Sequence, residues 1–311
     1  ALRPRPSSGL LRRLIRIVLI GTLARKEKLL PFDPSAVARV IEHSARLVED
    51  QRKLTTRFAL VFPDIYDIGV PNLGITILYD LINSREDSLC ERAYVPWLDM
   101  ETLIREEEIP LYTLESYHPL NQFEIIGFTL PYETLYTNVL NALDLAKIPL
   151  KSSDRDDSQP LIIAGGHAAY NPEPMAEFID AFVIGEGEEI IHELINIFQK
   201  EKLKGSTRKQ ILSSLQHIPG IYVPSLYKVT YLEDFSIESI LPVDSIYPNQ
   251  ILKRFVPKLP DPPSRFLVPS IDVVHNRIAI EIMRGCTRGC RFCHAGMVNR
   301  QLTNETYPVT P

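Results

Sequence analysis

"RFALVFPDIYDIGVPNLGITILYDLIN", residues 57–83, decides the fold. Its opening, RFALVFP, is an unbroken apolar run of the kind a parallel strand shows when both sheet faces are covered. After a short loop, NLGITILYDLINS places apolar residues at helical spacing. The strand-then-helix unit then repeats. AYVPWL leads into METLIREEEI, FEIIGFTL into ETLYTNVLNALDLAKI, PLIIAGG into PEPMAEFI, and DAFVIG into EGEEIIHELINIFQK. Five such units over residues 55–200 predict an α/β domain, a doubly wound, parallel five-stranded sheet with helices on both faces.

The flanks differ in texture. Residues 1–54 carry 12 Lys/Arg against 5 Asp/Glu, on a chain of 311 residues whose net charge is −5. Within this basic head, residues 25–53 predict an amphipathic helix, with Asp33 as cap and Pro34 at its first position. A basic head is compatible with nucleic acid, but short basic segments are more often solvated tails. The apolar stretch inside LLRRLIRIVLIGTLA (10–24) is too short to span a bilayer. No membrane partner is therefore expected. Residues 201–276 are rich in Pro, Ser and Tyr and read as a linker or insert, whereas RIAIEIM (277–283) reads as one more buried strand.

Directly after that run comes RGCTRGCRFCH (284–294), which holds three of the four cysteines. Such a cluster does not match the dispersed cysteines of a disulfide framework; it suits a reducing, cytoplasmic setting and an inorganic ligand. Cys286, Cys290 and Cys293 form C-x3-C-x2-C. Soft thiolates select iron–sulfur clusters or zinc. Zinc would need a fourth ligand, for which only His294 is near. Cys290 to His294 also spell C-x-x-C-H, the haem-attachment pattern, which would leave Cys286 unused. Arg284, Arg288 and Arg291 favour thiolates, and Gly285 and Gly289 allow the loop to curl. Cys90, placed between a helix and a strand, reads as a structural thiol.

C-x3-C-x2-C after an apolar strand, with Phe292 before the last cysteine, resembles the signature of radical S-adenosylmethionine enzymes. The resemblance implies that Cys286, Cys290 and Cys293 hold a [4Fe-4S] cluster whose open iron binds S-adenosylmethionine, with Phe292 beside the adenine. It also implies an electron donor such as a flavodoxin or ferredoxin, and a 5′-deoxyadenosyl radical acting on a substrate the sequence does not specify. The preceding domain resembles the cobalamin-binding module fused to many of these enzymes. There a D-x-H-x-x-G frame supplies the lower cobalt ligand; here Asp64, Tyr66 and Gly69 fit the frame with Tyr in place of His. A phenol, with an ordinary pKa of about 10, is a poor cobalt ligand. Cobalamin thus stays open as a cofactor, without a His lower ligand. Gly165 and Gly166 are expected beside a ligand, or simply to turn the chain, and His167 reads as a loop histidine or a ligand contact.

Across residues 57–299 the chain resembles one uncharacterised bacterial family of radical S-adenosylmethionine proteins with a cobalamin-binding-like N-terminal domain. That likeness implies that residues 277–311 are the first strand and cluster loop of a (β/α) barrel whose remainder is missing, so that this chain is a fragment with an incomplete active site. Residues 25–53 resemble the helical lid of Lon-type proteases and read as foreign to that radical S-adenosylmethionine family; without a GxxxxGKS/T loop, ATPase activity does not follow. The alternative to an enzyme is a non-catalytic cobalamin- or nucleotide-binding α/β module with a vestigial cysteine tail.

Overall fold

The computed structural model describes residues 56–293 except 258, 259, 264, 265, 276, 282, 283, 287 and 289. The helix expected at 25–53, His294 and Gly289 lie outside the described residues.

Five parallel strands form the sheet: β1 (Thr56–Phe62), β2 (Ser88–Tyr94), β3 (Ile125–Thr129), β4 (Leu161–Gly165) and β5 (Ala181–Val183). A sixth strand, β6 (Ile221–Tyr222), joins β5 antiparallel, giving the order β2-β1-β3-β4-β5-β6. The parallel part is the flavodoxin-like order, whose direction reverses between β1 and β3. Central strands are buried along their length: Ala59, Val61, Ile125, Ile126 and Ile162 are sealed from solvent. Such runs have no polar face because helices cover both sides.

Five longer helices surround the sheet: α1 (Leu73–Asn83), α2 (Leu98–Glu106), α3 (Tyr136–Leu145), α4 (Gly187–Leu203) and α5 (Arg208–Leu215). Helices α1 and α4 pack together on one face, and α5 packs against α4. Right-handed crossovers put α2 and α3 on the other face. There Arg105 of α2 reaches Asp144 and Asn141 of α3, at 2.7 and 2.6 Å.

The structure corrects four expectations. The second strand is SLCERAY, not AYVPWL; Pro96 follows it and α2 begins at Leu98. Cys90 therefore lies within β2, fully buried, and burial holds its thiol well above the ordinary range. PEPMAEFI forms only a single turn at Glu173–Met175, because prolines at 172 and 174 cannot supply helix-interior N–H groups. The linker expected from 201 contains the end of α4, α5 with a Thr207–Gln210 capping box, and β6. A hairpin, β7 (Tyr227–Tyr231) and β8 (Ile237–Pro242), follows. Finally, residues 277–281 form no strand, and Ile278 and Ile280 are 70% and 60% exposed. A strand needs a hydrogen-bonded neighbour, and these residues have none among the described residues.

Two polar clusters fasten the framework. Asp180, sealed at the foot of β5, accepts from Ile162 N (2.7 Å), Arg155 (3.1 Å) and Arg208 (2.5 Å). At the exposed edge of β2, Arg92 N donates to Glu115 (2.7 Å) and Leu114 N donates to Arg92 O (2.8 Å). That loop satisfies backbone groups which would otherwise offer a template for another chain.

Candidate functional site

The carboxyl ends of the strands open into a cavity of about 380 Å³ between the sheet and helices α1 and α4. Phe58 and Leu60 of β1, Ile163 of β4, Ile77 of α1, and Ile190 and Leu194 of α4 line its depth. This lies at the β1/β3 reversal, where open α/β sheets bind ligands. Gly165 and Gly166 both line the cavity, and so does His167. Gly166 has φ +111°, and a Cβ there would come within 2.5 Å of the Leu130 carbonyl oxygen, so the turn itself requires glycine. At Gly165 a Cβ would meet only Val183, at an ordinary 3.5 Å.

The rim is built from GEGEE, residues 185–189. Gly185 has φ +115°, and any side chain there would collide with the backbone of Arg254. That close passage lets residue 254 bind the end of β5: Arg254 N donates to Ile184 O (2.9 Å), and Glu186 N donates to Arg254 O (3.0 Å). The Arg254 guanidinium reaches Glu189 and Glu193, at 2.7 and 2.6 Å. Arg284, two positions before Cys286, completes the rim. It donates to Glu281 twice at 2.8 Å, pairs with Glu186 at 3.3 Å, and also pairs with Glu188. Hydrogen bonding to Glu281 and then Glu188 raises its pKa against the opposing effect of burial. Burial lowers Lys253, whose ammonium stands 5.8 Å over the Tyr170 ring; burial and then Glu186 raise Tyr170. Sequence reasoning named Arg284 only as a charge near the thiols and missed Arg254. The density of Glu in GEGEE was the one local hint that cations would be drawn there.

The Asp64–Gly69 loop serves packing. Asp64 accepts from Ile65 N (2.8 Å), and Tyr66–Gly69 forms one helical turn. The Tyr66 ring meets Tyr94 edge-on at 5.3 Å, and its hydroxyl accepts from Ser270 N at 2.8 Å. A Cβ on Gly69 would lie 2.5 Å from the Tyr94 ring, so this glycine makes room for that ring. Burial pushes the Tyr94 hydroxyl up to about 12, with Arg92 opposing. A phenol committed to the 270 segment does not fit the role of a cobalt ligand. A second cavity of about 250 Å³, which the sequence did not signal, lies beside this loop, lined by Tyr66, Tyr94, Trp97 and Met100.

Cys286, Cys290 and Cys293 are exposed, and Phe292 is 91% exposed. Cys293 N donates to Cys290 O at 3.1 Å. Among the described residues, no three His, Cys, Asp or Glu side chains are gathered as a metal site. The donor chemistry thus suits an iron–sulfur cluster, but the placement of the thiols does not. No helix of the described residues is long and apolar enough to cross a membrane.

Residues 74–224 match the family model "Radical SAM proteins, N-terminal". The α/β domain is related to that superfamily. The match runs from α1 past β6, so it takes in the elements found beyond residue 200. Residues 31–63 match "Archaeal LonB, AAA+ ATPase LID domain"; the end of that match overlaps β1, and the rest lies outside the described residues. An uncharacterized protein of Methanocaldococcus jannaschii is 23% identical over 246 residues, covering 78% of this chain. The chain spans 42% of that relative's length. A solved structure, the radical S-adenosylmethionine methyltransferase TsrM of Kitasatospora setae, is 14% identical. It covers 58% of this chain and 29% of its own with a TM-score of 0.34, a likeness too slight to show a fold.

Proposed function

We propose that this chain is the cluster-bearing part of a radical S-adenosylmethionine protein, in which Cys286, Cys290 and Cys293 hold a [4Fe-4S] cluster beside a ligand-binding α/β domain. The observation that carries this reading is Arg284. A guanidinium from the cysteine segment sits on Glu186 and Glu188 at the mouth of the cavity in a domain related to radical SAM N-terminal domains. Arg284 stands two positions before Cys286 in the chain. Three thiolates leave a four-iron cluster with one open iron, and clusters of this kind otherwise take four cysteines. Cys286, Cys290 and Cys293 would hold the cluster, which would supply an electron for cleavage of the S-adenosylmethionine sulfonium; Phe292 would serve the adenine, and a small flavodoxin- or ferredoxin-type protein would be the electron donor. Cobalamin, if it binds, does so without Tyr66 as a lower ligand.

The test is electron paramagnetic resonance of the reconstituted, reduced chain with and without S-adenosylmethionine. A cluster signal that changes on adding S-adenosylmethionine supports the open iron; an unchanged signal contradicts it. The second reading, a binding module whose cysteines hold nothing, is favoured by one observation: the thiols are exposed and not gathered. Absence of any cluster signal would select it.

A further inference from the structure

We propose that the cavity between the sheet and helices α1 and α4 binds an uncharged, ring-sized apolar ligand, and that Arg284 closes it. This goes beyond the cluster reading and does not depend on it. Protein interiors pack like organic crystals, and a void lined by large apolar side chains costs stability if left empty. At about 380 Å³ this one is in the range of small-molecule sites. Packing does not force the space to remain open. A Cβ on Gly165 would find ordinary contact with Val183, yet the position is bare and faces the cavity.

The rim selects against anions. Of the residues lining the cavity, Glu186, Glu188 and Glu281 surround a single guanidinium, that of Arg284. A phosphate would ordinarily bind at the amino end of a helix beside the strands. Here the α1 end is capped and the α4 end carries acidic side chains. Asn72 accepts from Ile75 N (3.0 Å) at the start of α1, and α4 opens with Glu188 and Glu189. A nucleotide phosphate approaching the start of α4 would meet the carboxylates of Glu188 and Glu189. An apolar ring with no charge meets the apolar walls, and Thr129 lines the same cavity. Arg284 bridges carboxylates of its own segment and of α4, which holds its guanidinium at the cavity mouth.

The test is a fluorescence titration of the full chain with neutral N-phenyl-1-naphthylamine. Its sulfonated relative 8-anilino-1-naphthalenesulfonate, adenosine monophosphate and cobalamin serve as comparators. We expect saturable binding of the neutral probe, at least about ten-fold tighter than the sulfonate, with no displacement by the nucleotide or cobalamin. Gly165→Val should weaken it by about ten-fold or more; Ile77→Phe, filling the same space from α1, is the second variant should the first fail to fold. Arg284→Ala should speed both association and release. A Cys286→Ala chain should titrate like the parent, which separates failure of this proposal from failure of the cluster reading. Equal binding of the sulfonate, displacement by adenosine monophosphate or cobalamin, or binding untouched by both filling variants would each overturn it.

Discussion

RFALVF at 57–62 and RIAIEI at 277–282 carry the same kind of apolar run and have opposite structural outcomes. The first becomes β1, flanked by β2 and β3, with Ala59 and Val61 sealed from solvent. The described part of the second joins no strand among the described residues and leaves Ile278 and Ile280 exposed. An apolar run encodes a demand for burial; it does not encode the neighbour that meets it. The α/β domain contains its own neighbours. Among the described residues, Arg284 of the cysteine segment joins it on the carboxylates of Glu186 and Glu188.

If that contrast holds, the largest effects on stability come from the domain's buried fastenings. Asp180→Ala leaves Arg155, whose side chain is fully buried, and Arg208 without their shared carboxylate. A loss of about 3–5 kcal/mol in urea unfolding is expected. Each Cys→Ala change in the exposed loop should stay within about 0.5 kcal/mol. The reverse ranking would break the comparison.

Next is Gly185→Val. A side chain at φ +115° that also meets the Arg254 backbone should cost about 1–3 kcal/mol. The loss should be accompanied by faster protease cleavage around residues 250–256 with the sheet intact. Cleavage unchanged there would mean that the segment around Arg254 is not held through this contact.

The smallest effect is a pH dependence. Burial, then Arg85, lowers the pKa of His192 in α4 below its ordinary 6.5, and Arg85 stands 3.3 Å from Nδ1. The unfolded chain therefore binds more protons just below pH 6.5. Stability should be complete above that value and decline as pH falls toward the lowered folded pKa. His192→Gln should flatten this slope in unfolding titrations between pH 7 and about 5.

What the sequence made legible follows from the same contrast. The parallel five-stranded sheet was readable because each strand-helix unit is local and its handedness is fixed. β2 was misplaced because Glu91 and Arg92 interrupt its apolar pattern. Their partners, Thr113, Ser116 and Glu115, lie more than twenty residues away. β6 escaped notice because two residues carry no period. At the candidate site the cysteine spacing was legible as ligand chemistry. Arg254 and the cavity depend on chain crossings that no short stretch encodes.

The most direct test of the central claim, that the cysteine segment is a cluster site attached to this domain, is iron counted per chain after anaerobic reconstitution with iron and sulfide. About four irons per chain are expected, with absorbance near 400 nm and loss of both on changing Cys286, Cys290 or Cys293 to Ala. Zinc in place of iron, or no metal at all, would contradict the claim and leave the α/β cavity as the functional part of the chain.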